Sequence, residues 1–194
     1  MKTDTESTTQ PNIILILTDH FRRDALGKHT PHLMRLAAEG VRFTNACCAS
    51  PLCQPARNCI VTGLPTFIHG VSGNQNDPIR DDVRDDTFMH HLRSAGYRTA
   101  MIGKHHYIDR YGIGMDVVAE DQAAIEAYGF DHVLQVLDDG ENLHNDDTYT
   151  AFLRESGRLE TFREARNKGG YEHPFEPDDS ADGFIGRHGV EYVE

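Results

Sequence analysis

The sequence predicts an α/β fold, with a mostly parallel sheet flanked by helices, and three observations point to it. The run Ile13-Ile14-Leu15-Ile16-Leu17 is continuously apolar, the pattern of a strand buried on both faces. A helical segment follows it, then a second short apolar stretch. The same order recurs near Thr87, where a helical pattern is stopped by Gly96 and gives way to the apolar stretch Tyr97 to Ile102. Such alternation of short strands and helices is what a parallel sheet with crossover helices requires.

The elements can be placed in order. Residues 1–11 are polar and read as a disordered tail, and the segment from 12 to 194 reads as one domain. Asn12 to Leu17 is the first strand. From Thr30 to Ala38 the apolar positions Leu33, Leu36 and Ala37 recur at helical spacing, with Thr30 as N-cap, Pro31 at the first turn and Gly40 as the stop. Val41 to Thr44 reads as a second strand, and Pro55 marks the start of a helix around Cys53. The helix Thr87 to Ser94 and the strand Tyr97 to Ile102 follow a Gly/Asn/Asp-rich loop. Farther on, Val117 to Tyr128 reads as helix and Asp131 to Leu137 as strand. Asp146 to Arg166 is charged enough to read as a solvated helix, and 137–180 as an insertion or lid. The last segment, Asp182 to Glu194, carries Phe184, Ile185, Val190 and Val193 at helical spacing.

Acidic residues exceed basic ones by 12 over 194 residues, with no compensating Lys/Arg run. That balance argues against nucleic acid or an anionic membrane surface as a partner. No apolar run is long enough to span a bilayer, and the N-terminal segment lacks the basic and apolar regions of a secretion signal, so the expected location is cytoplasmic. Cys47, Cys48, Cys53 and Cys59 are clustered without a CxxC pair or a matching His pair. That spacing argues against a structural zinc site, and the lack of a secretion signal argues against a disulfide framework. Cys47, Cys48 and Cys59 read as small packing residues.

Chemistry concentrates in a few places. Cys53 precedes Pro55 by two residues and Arg57 by four, and Thr62-Gly63 follows. At the start of a helix, Cys53 would face free N–H groups and the positive dipole end, a setting that favours anions. Arg57, one turn on, supplies a fixed forked charge. Taken alone, the pattern also fits a buried cysteine beside a surface arginine. Asp19 ends the first strand, and Lys104 with His106 lies just past the strand Tyr97 to Ile102. Ligands of open parallel sheets bind beyond the carboxyl ends of strands, so these segments converge on one place. Each residue also has a bland role: Asp19 as a helix N-cap, His106 as a structural hydrogen-bonder, and Asn74 as a turn residue with φ above zero. His105 reads as packing, and His90-His91 as a surface pair.

The chain resembles the formylglycine-dependent type I sulfatases of the alkaline phosphatase superfamily. The matching features are the strand Asn12 to Asp19, the CxPxR signature at Cys53, the turn His69-Gly70, and Gly103-Lys104-His105-His106 in place of GKWH. The resemblance implies an alkaline-phosphatase-like core, truncated on its C-terminal side, that hydrolyses a small-molecule or carbohydrate sulfate ester. It implies that Cys53 is converted to a formylglycine by a formylglycine-generating enzyme, and that the hydrated aldehyde attacks sulfur. Asp19, His20 and Cys53 would be metal ligands; Cys53, Arg57, Lys104 and His106 catalytic; Asn74 substrate-binding. The cation implied is calcium. His20 stands where many relatives carry aspartate, which tilts preference toward magnesium or manganese. A phosphonate or phosphate ester hydrolase of the same superfamily, or a noncatalytic binding module, are the alternatives. The short sheet is expected to expose an edge and apolar surface, which favours a homo-oligomer.

Overall fold

The structure, a computed structural model, describes residues 10–74, 79–108, 113–138, 140–169 and 173–194. It divides into two compact units, Met1–Cys47 and Cys48–Glu194. The expected tail lies outside the described residues up to residue 9.

In the first unit, α1 spans Pro31–Glu39, as the apolar spacing predicts. Thr30 precedes it but makes no side-chain cap; its Oγ1 instead accepts from Gly27 N–H at 3.0 Å and closes the preceding turn. The expected strands Asn12 to Leu17 and Val41 to Thr44 are not assigned as strands. A strand is defined by its ladder, and among the described residues no segment of the first unit pairs with either run. Ile13 to Leu17 are accordingly 41–70% exposed, the opposite of the burial their composition implies.

The second unit holds the remaining elements. Its helices α2 Cys53–Thr62, α3 Thr66–His69, α4 Asp81–Arg84 and α5 Phe88–Ser94 lead into strand β1, Ala100–Gly103. Then come α6 Val117–Glu126, β2 His132–Gln135, α7 Thr148–Glu155, α8 Leu159–Asn167 and α9 Ala181–Val193. The strands β1 and β2 pair in parallel, with Ala100 opposite His132 and Gly103 opposite Gln135, and α6 forms the crossover. Both are shorter than the apolar runs suggest. The start of α6 is fixed by Asp116, whose carboxylate accepts the Ala119 N–H.

Successive residues of β2 face opposite sides of the sheet, and the core follows that alternation. Val133 packs with Val61, Val71, Met101, Tyr107, Ile125 and Tyr128, while Leu134 packs with Val136, Tyr149, Leu153, Phe162 and Phe184. In the first cluster Tyr107 stacks on Tyr128 with ring centroids 4.9 Å apart. In the second, Tyr149 is fully buried and its hydroxyl donates to the Asp179 carbonyl at 2.8 Å, so its polar tip is satisfied.

The second cluster corrects the reading of Asp146 to Arg166 as one solvated helix. The segment forms two helices, α7 and α8, whose apolar sides bury Tyr149, Leu153, Leu159 and Phe162. A capping box between Asp147 and Thr150 starts α7. The charges that made the segment look solvated lie on its outer side, where Arg154 and Arg163 both pair with Asp146. Ser180 caps α9 by accepting the Gly183 N–H at 3.1 Å.

Candidate active site

Helix α2 begins at Cys53, as Pro55 in the first turn suggests. Leu52 before it is extended, and Gly63 after it adopts φ +69° and closes the helix by donating its N–H to the Cys59 carbonyl. Gln54, Pro55, Arg57, Asn58, Cys59 and Val61 are all buried, so the helix is embedded rather than laid on a surface. Cys53, at the exposed end, is half-buried. Of the N–H groups that a helix start leaves without intrahelical partners, that of Gln54 is taken by Asn74 Oδ1 at 2.9 Å. Asn74 therefore sits against the start of α2, one residue from Cys53. It is not among the residues of positive φ, so backbone conformation does not explain it.

The loop after β1 is held against the same helix. Arg57 Nη1 donates to the Lys104 carbonyl at 2.7 Å. Asn58 Nδ2 donates to the Tyr107 carbonyl at 3.1 Å, and Gln54 Nε2 to the same oxygen at 3.3 Å. Three successive positions of interest, Lys104, His105 and His106, are thus bracketed by bonds from α2. Lys104 Nζ itself donates to Asp138 Oδ2 at 2.7 Å.

His106 has φ +48° and is buried. Non-glycine residues rarely occupy that left-handed region, and where the surrounding structure enforces it the position is often functional. Among the described residues only one other non-glycine shares it, His20 at φ +50°.

His105 is different. Its Nδ1 accepts the Tyr107 N–H at 3.3 Å, which leaves Nε2 to carry the proton and donate to Gln135 Oε1 at 3.1 Å. That arrangement fixes a neutral ring, and burial lowers its pKa to about 3. His105 packs and positions, as its place in the motif suggests.

Cys59 and His69 form a sulfur–imidazole pair, 3.2 Å apart. His69 Nδ1 accepts the Val71 N–H at 3.1 Å, so Nε2–H is the donor to sulfur and the ring is neutral. Burial pushes the Cys59 thiol up and the His69 ring down, which excludes a thiolate–imidazolium nucleophile there. Cys59 is the packing residue expected. Cys47 and Cys48 are not: both are exposed, because the segment that carries them packs into neither core cluster. His90 also departs from a surface reading. Its ring bonds Thr87 Oγ1 at 2.9 Å and lies against Gly129, whereas His91 is exposed beside Asp86.

Asp19 and His20 belong to the first unit, where both are exposed. A carboxylate oxygen and an imidazole nitrogen on adjacent residues fit a divalent cation in kind, while a hard cation needs more ligands than these two. In the second unit, the bonds described tie Asn74 to the residue after Cys53, and Arg57 to the loop that carries Lys104 and His106. Asp138 and Asn58 escaped the sequence reading, since neither falls in a motif; the end of the strand Asp131 to Leu137 was the one available signal for Asp138. A cavity of about 440 Å³ opens at the far end of α2, lined by Ile60, Leu64, Arg80 and Phe88 among others. It contains none of the candidate residues.

The chain is 35% identical over 133 residues to the N-acetylglucosamine-6-O-sulfatase of Bacteroides thetaiotaomicron, covering 66% of this chain and 20% of that protein. It is 38% identical over 103 residues to the arylsulfatase of Clostridium perfringens, covering 50% and 21%. With the choline-sulfatase of Rhizobium meliloti it shares 35% identity over 111 residues, covering 53% and 20%. The chain thus spans about one fifth of the length of these relatives. Among solved structures it shares the fold of the phosphonate monoester hydrolase of Agrobacterium radiobacter, with a TM-score of 0.60 at 22% identity, over 84% of this chain and 33% of that one. This is the alkaline-phosphatase-like α/β architecture that the sequence leads one to expect. The sulfatase family model matches residues 11–177, a span that contains every candidate residue from Asp19 to His106, and the chain belongs to the sulfatase family.

Proposed function

We propose that the protein to which this chain belongs hydrolyses sulfuric esters, with Cys53 as the precursor of its nucleophile. The observation that supports this best is the bond from Arg57 to the Lys104 carbonyl, because it ties the CxPxR helix to the loop that carries Lys104 and His106. Those segments are 47 residues apart in sequence, and this bond brings them side by side within one unit. The substrate class is a sulfate monoester of a small molecule or a carbohydrate, in keeping with what the relatives' names state of them.

Each residue has a role that its surroundings support. Cys53, half-buried at the start of α2, lies where free N–H groups and the helix dipole favour a negatively charged ester. A formylglycine made from it would supply, as its hydrate, an oxygen nucleophile. Arg57 keeps a fixed positive charge one turn away and braces the opposing loop. Lys104 donates to the transferred group as its charge develops, and His106 moves a proton at the nucleophile. Asn74 contacts substrate or fixes the N-terminal turn against which substrate rests. Asp19 and His20 would hold a divalent cation, calcium in the family's pattern, with magnesium or manganese the alternatives. When bound, such an ion supplies positive charge beside the reacting ester. Cytoplasmic location and a formylglycine-generating partner belong to the same reading. Among the described residues, no helix is long and apolar enough to cross a membrane.

The test uses the full-length protein from its native host. Peptide mass spectrometry at Cys53 reads the exchange of sulfur for oxygen with loss of two hydrogens. Paired aryl sulfate and aryl phosphonate assays read the reaction. An aldehyde at Cys53, faster turnover of the sulfate and loss of both activities in Cys53→Ala are expected. Faster phosphonate turnover favours the phosphonate hydrolase instead. Unchanged turnover in Cys53→Ala overturns the nucleophile, and no turnover of either ester by the wild type leaves a binding module.

A further inference from the structure

Tyr107 follows His106 in the loop after β1, and both of its main-chain groups are held. Its N–H donates to His105 Nδ1 at 3.3 Å. Its carbonyl accepts Asn58 Nδ2 at 3.1 Å and Gln54 Nε2 at 3.3 Å, and the Tyr128 hydroxyl lies 3.4 Å from the same oxygen. On the other side of His106, Arg57 donates to the Lys104 carbonyl at 2.7 Å. His106 stands between these two fixed points at φ +48°. A non-glycine residue keeps that left-handed conformation where its surroundings over-determine it, and the two anchors supply that constraint.

Asn58 is the centre of the second anchor. It is fully buried, and its Nδ2 faces two carbonyls, Gln54 of its own helix at 3.0 Å and Tyr107 at 3.1 Å. Two acceptors at one end of the amide make that end the nitrogen, with both of its hydrogens in use. The Oδ1 at the other end faces the Tyr128 hydroxyl at 3.4 Å. Partners on α2 and just past α6 thus fix the plane of the amide, and from that plane Asn58 makes the shortest of the bonds to the Tyr107 carbonyl. Asn58 lies on the helix that begins at Cys53, so the place of His106 is tied to the element that carries the nucleophile precursor.

We propose that Asn58 is a positioning residue, which acts through the Tyr107 carbonyl to hold His106 in its left-handed conformation and so sets where the imidazole stands relative to the start of α2. The proposal rests on the reading of His106 as the residue that moves a proton at the nucleophile. Lys104 is held separately, by Arg57 at its carbonyl and by Asp138 at its ammonium. Loss of Asn58 should therefore disturb proton transfer and spare the contact of Lys104 with substrate. An asparagine with a structural role alone would change stability and leave kcat as it was.

Asn58→Leu removes both donors at nearly constant shape, while Tyr128→Phe, a milder change, removes only the hydroxyl that steadies the amide. In the full-length enzyme, kcat for an aryl sulfate, per mole of Cys53 converted to the aldehyde, is expected to fall about tenfold or more in Asn58→Leu and about twofold to fivefold in Tyr128→Phe, with KM within about twofold of wild type in both. Leu153→Ala, in the other core cluster, is the control, since it lowers stability and should leave kcat within about twofold. A second measurement needs no turnover: backbone couplings from NMR of the 194-residue chain report φ at His106, which should leave the left-handed region in Asn58→Leu. A His106 that keeps its conformation in that variant overturns the proposal. Should Asn58→Leu not fold, an unchanged kcat in folded Tyr128→Phe overturns it instead. If the wild type cleaves no ester while φ at His106 shifts as expected, the hydrolase reading fails and the anchor stands. If the wild type cleaves aryl sulfate and kcat falls in neither variant, or falls as far in Leu153→Ala, the positioning role fails and the hydrolase reading stands.

Discussion

The guanidinium of Arg57 donates to the main-chain carbonyl of Lys104 at 2.7 Å, and Arg57 is 8% exposed. A charged side chain buried this far is tolerated when its donors find acceptors, and here one acceptor is the loop that carries two candidate catalytic residues. Arg57 thus has a structural duty distinct from any contact with substrate.

Removal of that duty should be measurable without an assay. Arg57→Ala leaves the Lys104 carbonyl short of a donor and opens a gap beside α2, and the cost is expected to be about 1–3 kcal/mol. Urea unfolding should show a lower midpoint at unchanged slope. Amide exchange should accelerate at 104–107 more than elsewhere. Uniform acceleration across the second unit would mean that the bond is not what fixes the loop.

Gly103 is the second structural constraint on the site. Its φ is +108°, and a Cβ placed there would come within 3.2 Å of both Ile185 Cδ1 and Cγ2 on α9. Gly103→Ala is expected to destabilise by about 1–3 kcal/mol, from backbone strain and from the clash together. The two parts separate in a double-mutant cycle with Ile185→Ala, which removes both Cδ1 and Cγ2. The smaller side chain relieves the clash and leaves the strain, so partial rescue is expected. Full rescue would show that backbone conformation at Gly103 costs nothing.

The helices of both units were largely legible because their signals are local. Pro31, Gly40 and Pro55 mark helix ends; α1, α5, α6 and α9 lie within a few residues of their expected spans, and α2 starts where Pro55 suggests. The strands were less so. Ile13 to Leu17 has the composition of a central strand, but a ladder depends on distant partners that a local pattern does not contain. Helices α7 and α8 were misread for a related reason: Glu155, Arg158, Glu160 and Glu164 dominate the composition, while burial is decided by Tyr149, Leu153, Leu159 and Phe162. At the site, motif residues could be named in advance. Asp138 could not, since only the β1–β2 register places it beside Lys104.

The four cysteines should differ sharply in reactivity, because alkylation needs both access and thiolate. Cys47 and Cys48 are exposed, Cys53 is half-buried, and Cys59 is buried against His69 with its thiol pushed up by burial. Timed iodoacetamide labelling with peptide mass spectrometry should modify Cys47 and Cys48 first and Cys53 next. Cys59 should lag by about two orders of magnitude or more, reacting only through opening of the structure. Equal rates at Cys59 and Cys47 under native conditions would refute the buried pair.

Stability should fall as the solution is acidified from neutrality, and His105 is the main reason. Its folded pKa is lowered to about 3 by burial, against about 6.5 in an unfolded chain. Below about pH 6.5 the unfolded state therefore binds a proton that the folded state refuses. Each such group contributes a loss on the order of 1 kcal/mol per pH unit until its folded pKa is reached. His69, also lowered by burial, acts in the same direction. Asp147 acts oppositely: burial raises its carboxyl, so its contribution is greatest in acid and is lost as pH rises through its folded pKa. Asp131, lowered by the Thr99 N–H, loses its contribution only below the ordinary carboxylate range. Between pH 7 and pH 5 the histidines dominate, and Tm should drop. His105→Gln has no charge to acquire and can still bond Gln135, so its Tm should be lower at pH 7 but fall less steeply toward pH 5. A parallel decline in the two proteins would mean that His105 is protonated in the folded chain, which its bonds to Tyr107 N–H and Gln135 do not allow.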